Sequence, residues 1–301
     1  MPPLVVIAGA TATGKTRLSL ALVEAIQRAE IVSADSRQVY RGMDIGTAKV
    51  SAAGRDRVPH HGLDLVDPDQ PFSAADFQRA ALDALESIAE RGGVGILVGG
   101  TGLYLRAVAR GFALQDTGHD PATRAELEAR LAIDGVGQLA TELTRLAPTV
   151  AAATDLANPR RVVRALERAR RHGDKPPPTP HGYPARQVWI GLQVEPSQHA
   201  SRIAERARAQ FASGLVEEAA DLRKRYSVDT RAFSAVGYRE AFDVLDRTLS
   251  RDEAIERTIT RTRQFARHQR TWFRAEPDIN WLDGGSDPLA LARQLANSVS
   301  R

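Results

Sequence analysis

The residues whose types and spacing best suit chemistry lie near the start of the chain, where residues 9–16 match the pattern G-x-x-x-x-G-K-[ST]. A short β-branched run, residues 4–8, precedes them, and residues 17–29 carry apolar side chains at helical spacing. This order of strand, loop and helix predicts a phosphate-binding loop, in which backbone N–H groups and a helix N-terminus attract an anion. Lys15 adds a positive charge, and the Thr16 hydroxyl is a candidate ligand for Mg²⁺. The predicted diphosphate- or nucleotide-binding residues are Gly9, Ala10, Thr11, Ala12, Thr13, Gly14, Lys15 and Thr16.

Two further polar residues follow short apolar runs that indicate buried strands. Asp35 comes directly after residues 31–34, and Thr101 follows residues 94–98 after two glycines. Ligands of open α/β sheets bind outside the carboxyl ends of the strands, so we expect both side chains beside the phosphate loop. For Asp35, capping of a helix is the alternative. The strand before Thr101 lacks the terminal acidic residue of a Walker B strand, so the ligand need not be a nucleoside triphosphate.

The order of the elements predicts an α/β fold with a P-loop NTPase-like parallel sheet core flanked by helices. Strand patterns stop after about residue 111, three helical patterns follow, and a strand pattern returns at residues 187–194. The proline-rich residues 175–184 indicate a stiff linker between the two regions. We therefore predict an inserted helical domain that grips the RNA partner inferred below. The predicted inserted helices are residues 121–131, 137–146 and 159–171, and the predicted domains are residues 1–111, 112–185 and 186–301.

Composition excludes several classes of protein. The 301-residue chain has no cysteine, which rules out disulfides, thiolate zinc sites and iron–sulfur ligation. No apolar run approaches the roughly 20 residues of a membrane-spanning helix, and no export signal is evident, so we expect a soluble cytoplasmic protein. The adjacent His60 and His61 have no third ligand at useful spacing, so we predict no metal site there.

Basic residues are concentrated on two predicted helices. Arginines crowd residues 159–171, and on residues 252–274 a basic stripe lies beside an apolar one. The basic stripe consists of Arg263, Arg267, Arg270 and Arg274. Planar guanidiniums suit contact with phosphates and bases, so we favour a nucleic-acid partner over a merely solvated face. Arg202, shortly after the strand at residues 187–194, is placed to reach the phosphate.

Taken together, these motifs resemble those of the bacterial tRNA dimethylallyltransferases, also called tRNA isopentenyltransferases, over essentially the whole chain. The matching segments, in the order of that family, are residues 9–16, 35–49, 99–104, 161–167, 237–238 and 270–274.

The resemblance implies transfer of a dimethylallyl group from dimethylallyl diphosphate to the exocyclic N6 amine of the adenosine 3′ to the anticodon. It also implies a tRNA anticodon stem-loop as partner. The phosphate loop, through Thr16, predicts Mg²⁺ as cofactor, and a monomer is the default expectation. The implied catalytic residues are Asp35, Thr101, Lys15 and Arg202, with Asp35 accepting the proton of a weakly nucleophilic amine. The implied tRNA-binding residues, with two from the basic stripe, are Asp35, Ser36, Arg37, Gln38, Thr101, Arg124, Asn158, Pro159, Arg160, Arg161, Val162, Phe233, Gly237, Tyr238, Arg239, Arg267 and Arg270.

Two other functions fit the phosphate loop. A P-loop kinase of small molecules or nucleosides would use the same strand order and loop. A noncatalytic RNA-binding ATPase switch would use the loop and the basic stripe, but would leave Asp35 without a chemical role.

Overall fold

The computed structural model describes residues 1–112, 114, 120–176 and 178–300, and the chain forms two compact units. The core unit comprises Met1–Arg110 and Gly182–Arg301, and the inserted unit comprises Gly111–His181. Residues 182–185, which the sequence pattern places in the insertion, belong to the core unit, where Tyr183 is buried. Part of the predicted start of the insertion, and Pro177 of the predicted linker, lie outside the described residues.

One sheet of six parallel strands organises the core unit. The strands are β1 (Leu4–Gly9), β2 (Ala29–Ser33), β3 (His60–His61), β4 (Val94–Gly99), β5 (Gln187–Gln193) and β6 (Ile279–Asp283). Their order across the sheet is β3-β2-β4-β1-β5-β6. Ala8 of β1 pairs with Gly99 of β4, and Ser33 of β2 pairs with Val98 of β4. The carboxyl ends of β1, β2 and β4 therefore lie level, and this alignment brings the predicted site residues together.

Helices cover both faces of the sheet. The core-unit helices are α1 (Lys15–Ala25), α2 (Ala52–Arg57), α3 (Ala74–Glu90), α4 (Gly102–Ala109), α8 (Pro196–Ala212), α9 (Leu215–Arg223), a 3₁₀ helix (Arg231–Ser234), α10 (Tyr238–Leu245), α11 (Arg251–Arg274) and α12 (Leu289–Ser300). Val5 and Ile7 of β1 pack with α1 and α12, whereas Leu4 and Val6 face the layer of α3, α4, α10 and α11. Both faces of β1 are thus buried, as a continuous apolar run predicts. No described helix is long and apolar enough to cross a membrane.

Two features of the core unit differ from the sequence-based expectation. The helical spacing predicts a first helix that runs to Ala29, but α1 ends at Ala25 and Ile26 is already extended. Ala29 opens β2 instead, where it pairs with Val94, so pairing in the sheet overrides helical spacing. The second feature is β6, an edge strand that is only partly buried and therefore lacks the continuous apolar run that identifies the central strands.

The inserted unit is helical, and its described residues form three helices around their own apolar core. They are α5 (Pro121–Leu146), α6 (Pro148–Ala152) and α7 (Pro159–His172). The two helices predicted within α5 meet at Gly135, whose backbone (φ 75°, ψ 170°) interrupts the helix. Asn158 caps α7 as expected, since its side chain accepts a hydrogen bond from the Arg161 N–H. Leu127, Leu143 and Leu166 lie in the core of this unit.

Candidate active site

The phosphate loop, residues 9–16, joins β1 to α1. A side chain at Gly9 (φ 148°) would place its Cβ 2.7 Å from the carbonyl oxygen of Leu192 on β5, so only glycine fits there. Gly14 is left-handed (φ 97°), and α1 begins at the next residue, Lys15. The unpaired N–H groups of the first helical turn are therefore available at the carboxyl edge of the sheet, an arrangement that binds anions.

Lys15 lines a cavity beside this loop, and its Nζ donates a hydrogen bond to the carbonyl oxygen of Ala10 at 2.7 Å. Burial and, to a smaller extent, the positive charge of Arg206 lower the pKa of Lys15 to about 8, against the raising effect of the Asp35 carboxylate. A bound anion would favour the ammonium form. The lysine is thus poised to hold a phosphate.

Asp35 and Thr101 lie at the ends of β2 and β4 and line the same cavity as Lys15. One carboxylate oxygen of Asp35 accepts a hydrogen bond from the Arg37 N–H at 2.8 Å, which fixes the turn after β2. The Thr101 hydroxyl oxygen accepts a hydrogen bond from the Ser36 N–H at 3.0 Å. The two strand ends are therefore joined at the residues predicted to handle the substrate.

The cavity has a volume of about 280 Å³ and combines a polar and an apolar lining. Its polar lining includes Lys15, Thr16, Asp35, Thr101 and Arg206, and its apolar lining includes Ile31, Val50, Leu63, Val98 and Phe265. Positively charged side chains that can bind a phosphate thus lie beside apolar surface in the same cavity. This combination suits an anionic ligand that carries a hydrocarbon group.

On α8, the arginine that faces the cavity lies one helical turn later than the sequence predicts. Arg202 donates a hydrogen bond to the carbonyl oxygen of Gly284 at 2.8 Å and is not among the described residues that line the cavity. Arg206, four residues later on α8, does line it. Burial lowers the pKa of Arg206, and the nearby charge of Asp35 opposes that shift. The spacing of the arginines is visible in the sequence, but the rotation of α8 about its axis is not.

Several predicted tRNA-binding residues of the core unit fasten its loops. Arg37 donates hydrogen bonds to the carbonyl oxygens of Arg231 and Ala232 at 3.1 and 3.3 Å. The Gln38 side chain accepts a hydrogen bond from the Ser33 hydroxyl and donates to the Thr47 carbonyl oxygen. These two side chains therefore shape the loops around the cavity.

The second predicted core-unit segment is mostly internal. Phe233 and Tyr238 are buried, and the Tyr238 hydroxyl donates a hydrogen bond to Glu218 at 2.6 Å. The N–H of Gly237 donates to Glu240, whereas Arg239 is exposed. Of this segment, Arg239 presents its side chain to solvent.

In the inserted unit, the predicted residues divide into fastened and exposed ones. Arg124 forms an ion pair with the buried Glu167, and Val162 lies in the apolar core. Pro159, Arg160 and Arg161 are exposed at the start of α7. Contact with RNA at these positions remains a prediction.

The basic stripe on α11 differs from other arginines of that helix in its ion pairing. Within the described part of the chain, none of its four arginines forms an ion pair. On the same helix, by contrast, Arg257 pairs with Asp243 and Arg261 pairs with Glu240. Unpaired arginines on one helical face are a surface for a polyanion.

The histidine pair on β3 has structural partners. His61 Nε2 lies 2.7 Å from Glu30, which also pairs with Arg91, and His60 Nδ1 lies 2.7 Å from the carbonyl oxygen of Val58. Among the described residues there is no group of three or more histidine, aspartate or glutamate side chains arranged to hold a metal ion.

Fold and site together define a P-loop protein whose phosphate loop faces a carboxylate and a threonine at neighbouring strand ends. The family described as IPP transferase matches residues 38–276. The chain belongs to this family, which confirms the resemblance and the predicted fold class.

Relatives match over nearly the whole chain. The tRNA dimethylallyltransferase of Kineococcus radiotolerans is 42% identical over 306 residues, covering 97% of this chain and 95% of that protein. The solved tRNA isopentenylpyrophosphate transferase of Bacillus halodurans is 40% identical, with a TM-score of 0.73, covering 100% of this chain and 96% of that one. A eukaryotic dimethylallyltransferase acting on tRNA shares the fold, with a TM-score of 0.77 and 24% identity, over 99% of this chain and 77% of that one.

Proposed function

We propose that this protein transfers a dimethylallyl group from dimethylallyl diphosphate to the N6 amine of the adenosine 3′ to the tRNA anticodon, giving N6-isopentenyladenosine and diphosphate. Family membership and the names of the relatives support a transferase acting on tRNA. The observation that carries the proposal is the shared cavity of Lys15, Asp35 and Thr101. It provides an anion site, a candidate base and a hydroxyl in one cavity.

The diphosphate is held by the phosphate loop. Its partners are the N–H groups at the start of α1, Lys15 and, in place of the predicted Arg202, Arg206. These cations stabilise the negative charge that grows on the departing oxygen as the allylic C–O bond breaks. The apolar lining near Val98 accommodates the five-carbon group.

Mg²⁺ fits this site through oxygen donors. The Thr16 hydroxyl lines the cavity, and Mg²⁺ in proteins takes few protein ligands beside substrate phosphates. The oxygens of the diphosphate and Thr16 would hold the ion. When bound, it would offset the charge of the diphosphate.

Asp35 serves as the base for the acceptor. The new bond joins the allylic carbon to N6, and the amine proton passes to the Asp35 carboxylate and then to solvent. A positioned base of this kind accelerates a reaction by roughly 10²–10⁴-fold. Thr101 holds the turn that carries Asp35, through its hydrogen bond with the Ser36 N–H.

The tRNA lies against the α11 basic stripe, with the target adenine turned out of its stack into the cavity. Turning out a base costs a few kcal/mol, and less in a single-stranded loop than in a duplex. An anticodon loop therefore suits this site better than a helical stem. We propose that the protein acts in the cytoplasm, where tRNA is found, and that it acts as a monomer.

The test is to incubate the protein with Mg²⁺, unmodified tRNA and labelled dimethylallyl diphosphate, and to analyse the digested nucleosides for N6-isopentenyladenosine. A matched tRNA with inosine at the target position, which lacks the exocyclic amine, should give no product. A parallel reaction with labelled ATP tests for a kinase. Phosphoryl transfer from ATP, or no prenylated adenosine although tRNA binds, would overturn the proposal.

A further inference from the structure

Thr11, in the middle of the phosphate loop, is held by two side chains distant in sequence, one on each of the two peptide groups that flank it. Its N–H donates a hydrogen bond to Oε1 of Gln269 at 2.8 Å. Its carbonyl oxygen lies 2.8 Å from Nε2 of His199. Gln269 lies on α11 and His199 on α8, and both side chains are buried, with exposed fractions of 8% and 3%. The sequence motifs point to neither residue.

Gln269 also reaches the neighbouring strand end. Its Nε2 donates a hydrogen bond to the carbonyl oxygen of Gly100 at 2.9 Å, in the loop that carries Thr101. A Cβ on Gly100 would lie 2.4 Å from that nitrogen, so the contact requires glycine. Because the Thr11 N–H can only donate and the Gly100 carbonyl can only accept, the orientation of the Gln269 amide is fixed. One side chain thus spans the phosphate loop and the end of β4.

His199 is held in one protonation state. The Thr11 carbonyl can only accept, so Nε2 of His199 carries a proton. Burial lowers the pKa of His199, and the charges of Arg270, Lys15 and Arg202 lower it further, against the raising effect of its hydrogen bond to Thr11. His199 is therefore a neutral donor at pH 7 and adds no charge behind the loop.

We propose that Gln269 and His199 are positioning residues that fix the two peptide groups flanking Thr11, so that the phosphate loop presents N–H groups, and not a carbonyl oxygen, to the diphosphate. This inference rests on the proposed function, because it concerns the same diphosphate. Without His199, the carbonyl oxygen of Thr11 loses this donor and is free to turn towards an anion that the loop must attract. Without Gln269, the Thr11 N–H loses its acceptor, and the Ala10–Thr11 peptide group is held only through the Ala10 carbonyl oxygen, which accepts from Thr13 and Lys15. Gln269 also ties the loop to the helix that carries the basic stripe.

The experiment compares Gln269→Leu and His199→Leu with Gln264→Leu, a matched control on the exposed face of the same helix as Gln269. Calorimetry with Mg²⁺ and inorganic diphosphate should show a dissociation constant raised roughly tenfold in the two test variants, the size expected from the loss of one hydrogen bond. Hydrogen exchange of the Thr11 amide should be faster by roughly tenfold in Gln269→Leu. Gln264→Leu should match the wild type in both measurements.

A second variant guards against misfolding. Gln269→Glu keeps an acceptor for the Thr11 N–H but sets an oxygen against the Gly100 carbonyl, so its Thr11 exchange should lie between those of the wild type and Gln269→Leu. The affinity of each variant for a tRNA anticodon stem-loop should stay within about threefold of the wild type, since both side chains are buried.

Three outcomes would overturn the inference. If Gln269→Leu binds diphosphate and exchanges its Thr11 amide as the wild type does, this inference fails while the proposed function stands. An equal loss of stem-loop and diphosphate binding would show a general disruption of α11. A wild-type protein that does not bind diphosphate would overturn the proposed function as well, so the two failures are distinguishable.

Discussion

The hydroxyl of Thr101 lies 3.0 Å from the backbone nitrogen of Ser36, and this hydrogen bond joins the end of β4 to the turn that carries Asp35. The hydroxyl also donates to the Ser36 side chain at 3.3 Å. Thr101 therefore acts on the candidate base through the backbone, in addition to lining the cavity.

Replacing Thr101 by valine should lower kcat by roughly 10–100-fold, because a part-buried N–H left without its acceptor costs about 1–3 kcal/mol and releases the Asp35 turn. Thr101→Ser keeps the hydroxyl and should stay within a few-fold of the wild type. Steady-state kinetics of tRNA prenylation check both variants. Equal activity of the valine and serine variants would show that the hydroxyl does not position the turn.

Asp35→Asn should lower kcat by roughly 10²–10⁴-fold, because the amide cannot accept the amine proton. The asparagine oxygen still accepts the hydrogen bond from the Arg37 N–H, so the local turn is retained. Binding of tRNA, measured by filter retention, should therefore change little. Comparable losses of turnover and binding would instead assign Asp35 a positioning role.

The parts of the site that could be predicted from sequence are local ones. The phosphate loop, Asp35 and Thr101 each follow a short buried strand, and parallel strands bring their carboxyl ends together whatever the loops between them do. The correct face of a helix is harder to predict, as Arg202 and Arg206 show. Both positions fit the sequence, and the packing of α8 against α11 and the phosphate loop turns Arg206 towards the cavity.

Contacts across the chain could not be predicted. Gln269 and Thr11 are 258 positions apart, and no local pattern links them. Likewise β6 is recognisable as a strand only once β5 is beside it. Edge strands and long-range hydrogen bonds depend on tertiary packing more than on propensity.

Diphosphate binding should weaken as the pH rises through about 8. The pKa of Lys15 in the free protein is lowered to about 8, so the ammonium prevails below that pH and the neutral amine above it. The anion binds the ammonium, and the dissociation constant should therefore rise as the pH is raised through this pKa. Calorimetry with Mg²⁺ and diphosphate measures this dependence.

Lys15→Arg is the control for that titration, since arginine keeps its charge over the whole range. Lys15→Arg should bind diphosphate more weakly than the wild type at neutral pH. Any pH dependence of its dissociation constant then comes from the titration of diphosphate itself. An identical pH profile in the wild type and in Lys15→Arg would contradict titration of Lys15.

Gly102→Ala should destabilise the core unit by about 1–3 kcal/mol, because overpacking a close contact forces its neighbours to shift. The added Cβ would lie 2.4 Å from the ring of Trp272 on α11. Gly137→Ala, in α5, meets nothing within 4 Å and should leave stability unchanged or slightly raised. Chemical denaturation followed by tryptophan fluorescence compares the two variants, and equal midpoints would contradict close packing of α11 on the start of α4.

Replacing Arg267 and Arg270 by glutamine should weaken tRNA binding and reduce the slope of log K against log salt by roughly 1 for each phosphate that is no longer bound by an arginine. Both arginines lack an ion pair among the described residues, so their charges are available to RNA. Arg257→Gln is the matched control, because Arg257 lies on the same helix but pairs with Asp243 at 3.4 Å. Its slope should equal that of the wild type. An unchanged slope in the Arg267 and Arg270 variants would show that the stripe is only solvated, and tRNA would then have to bind another face of the protein.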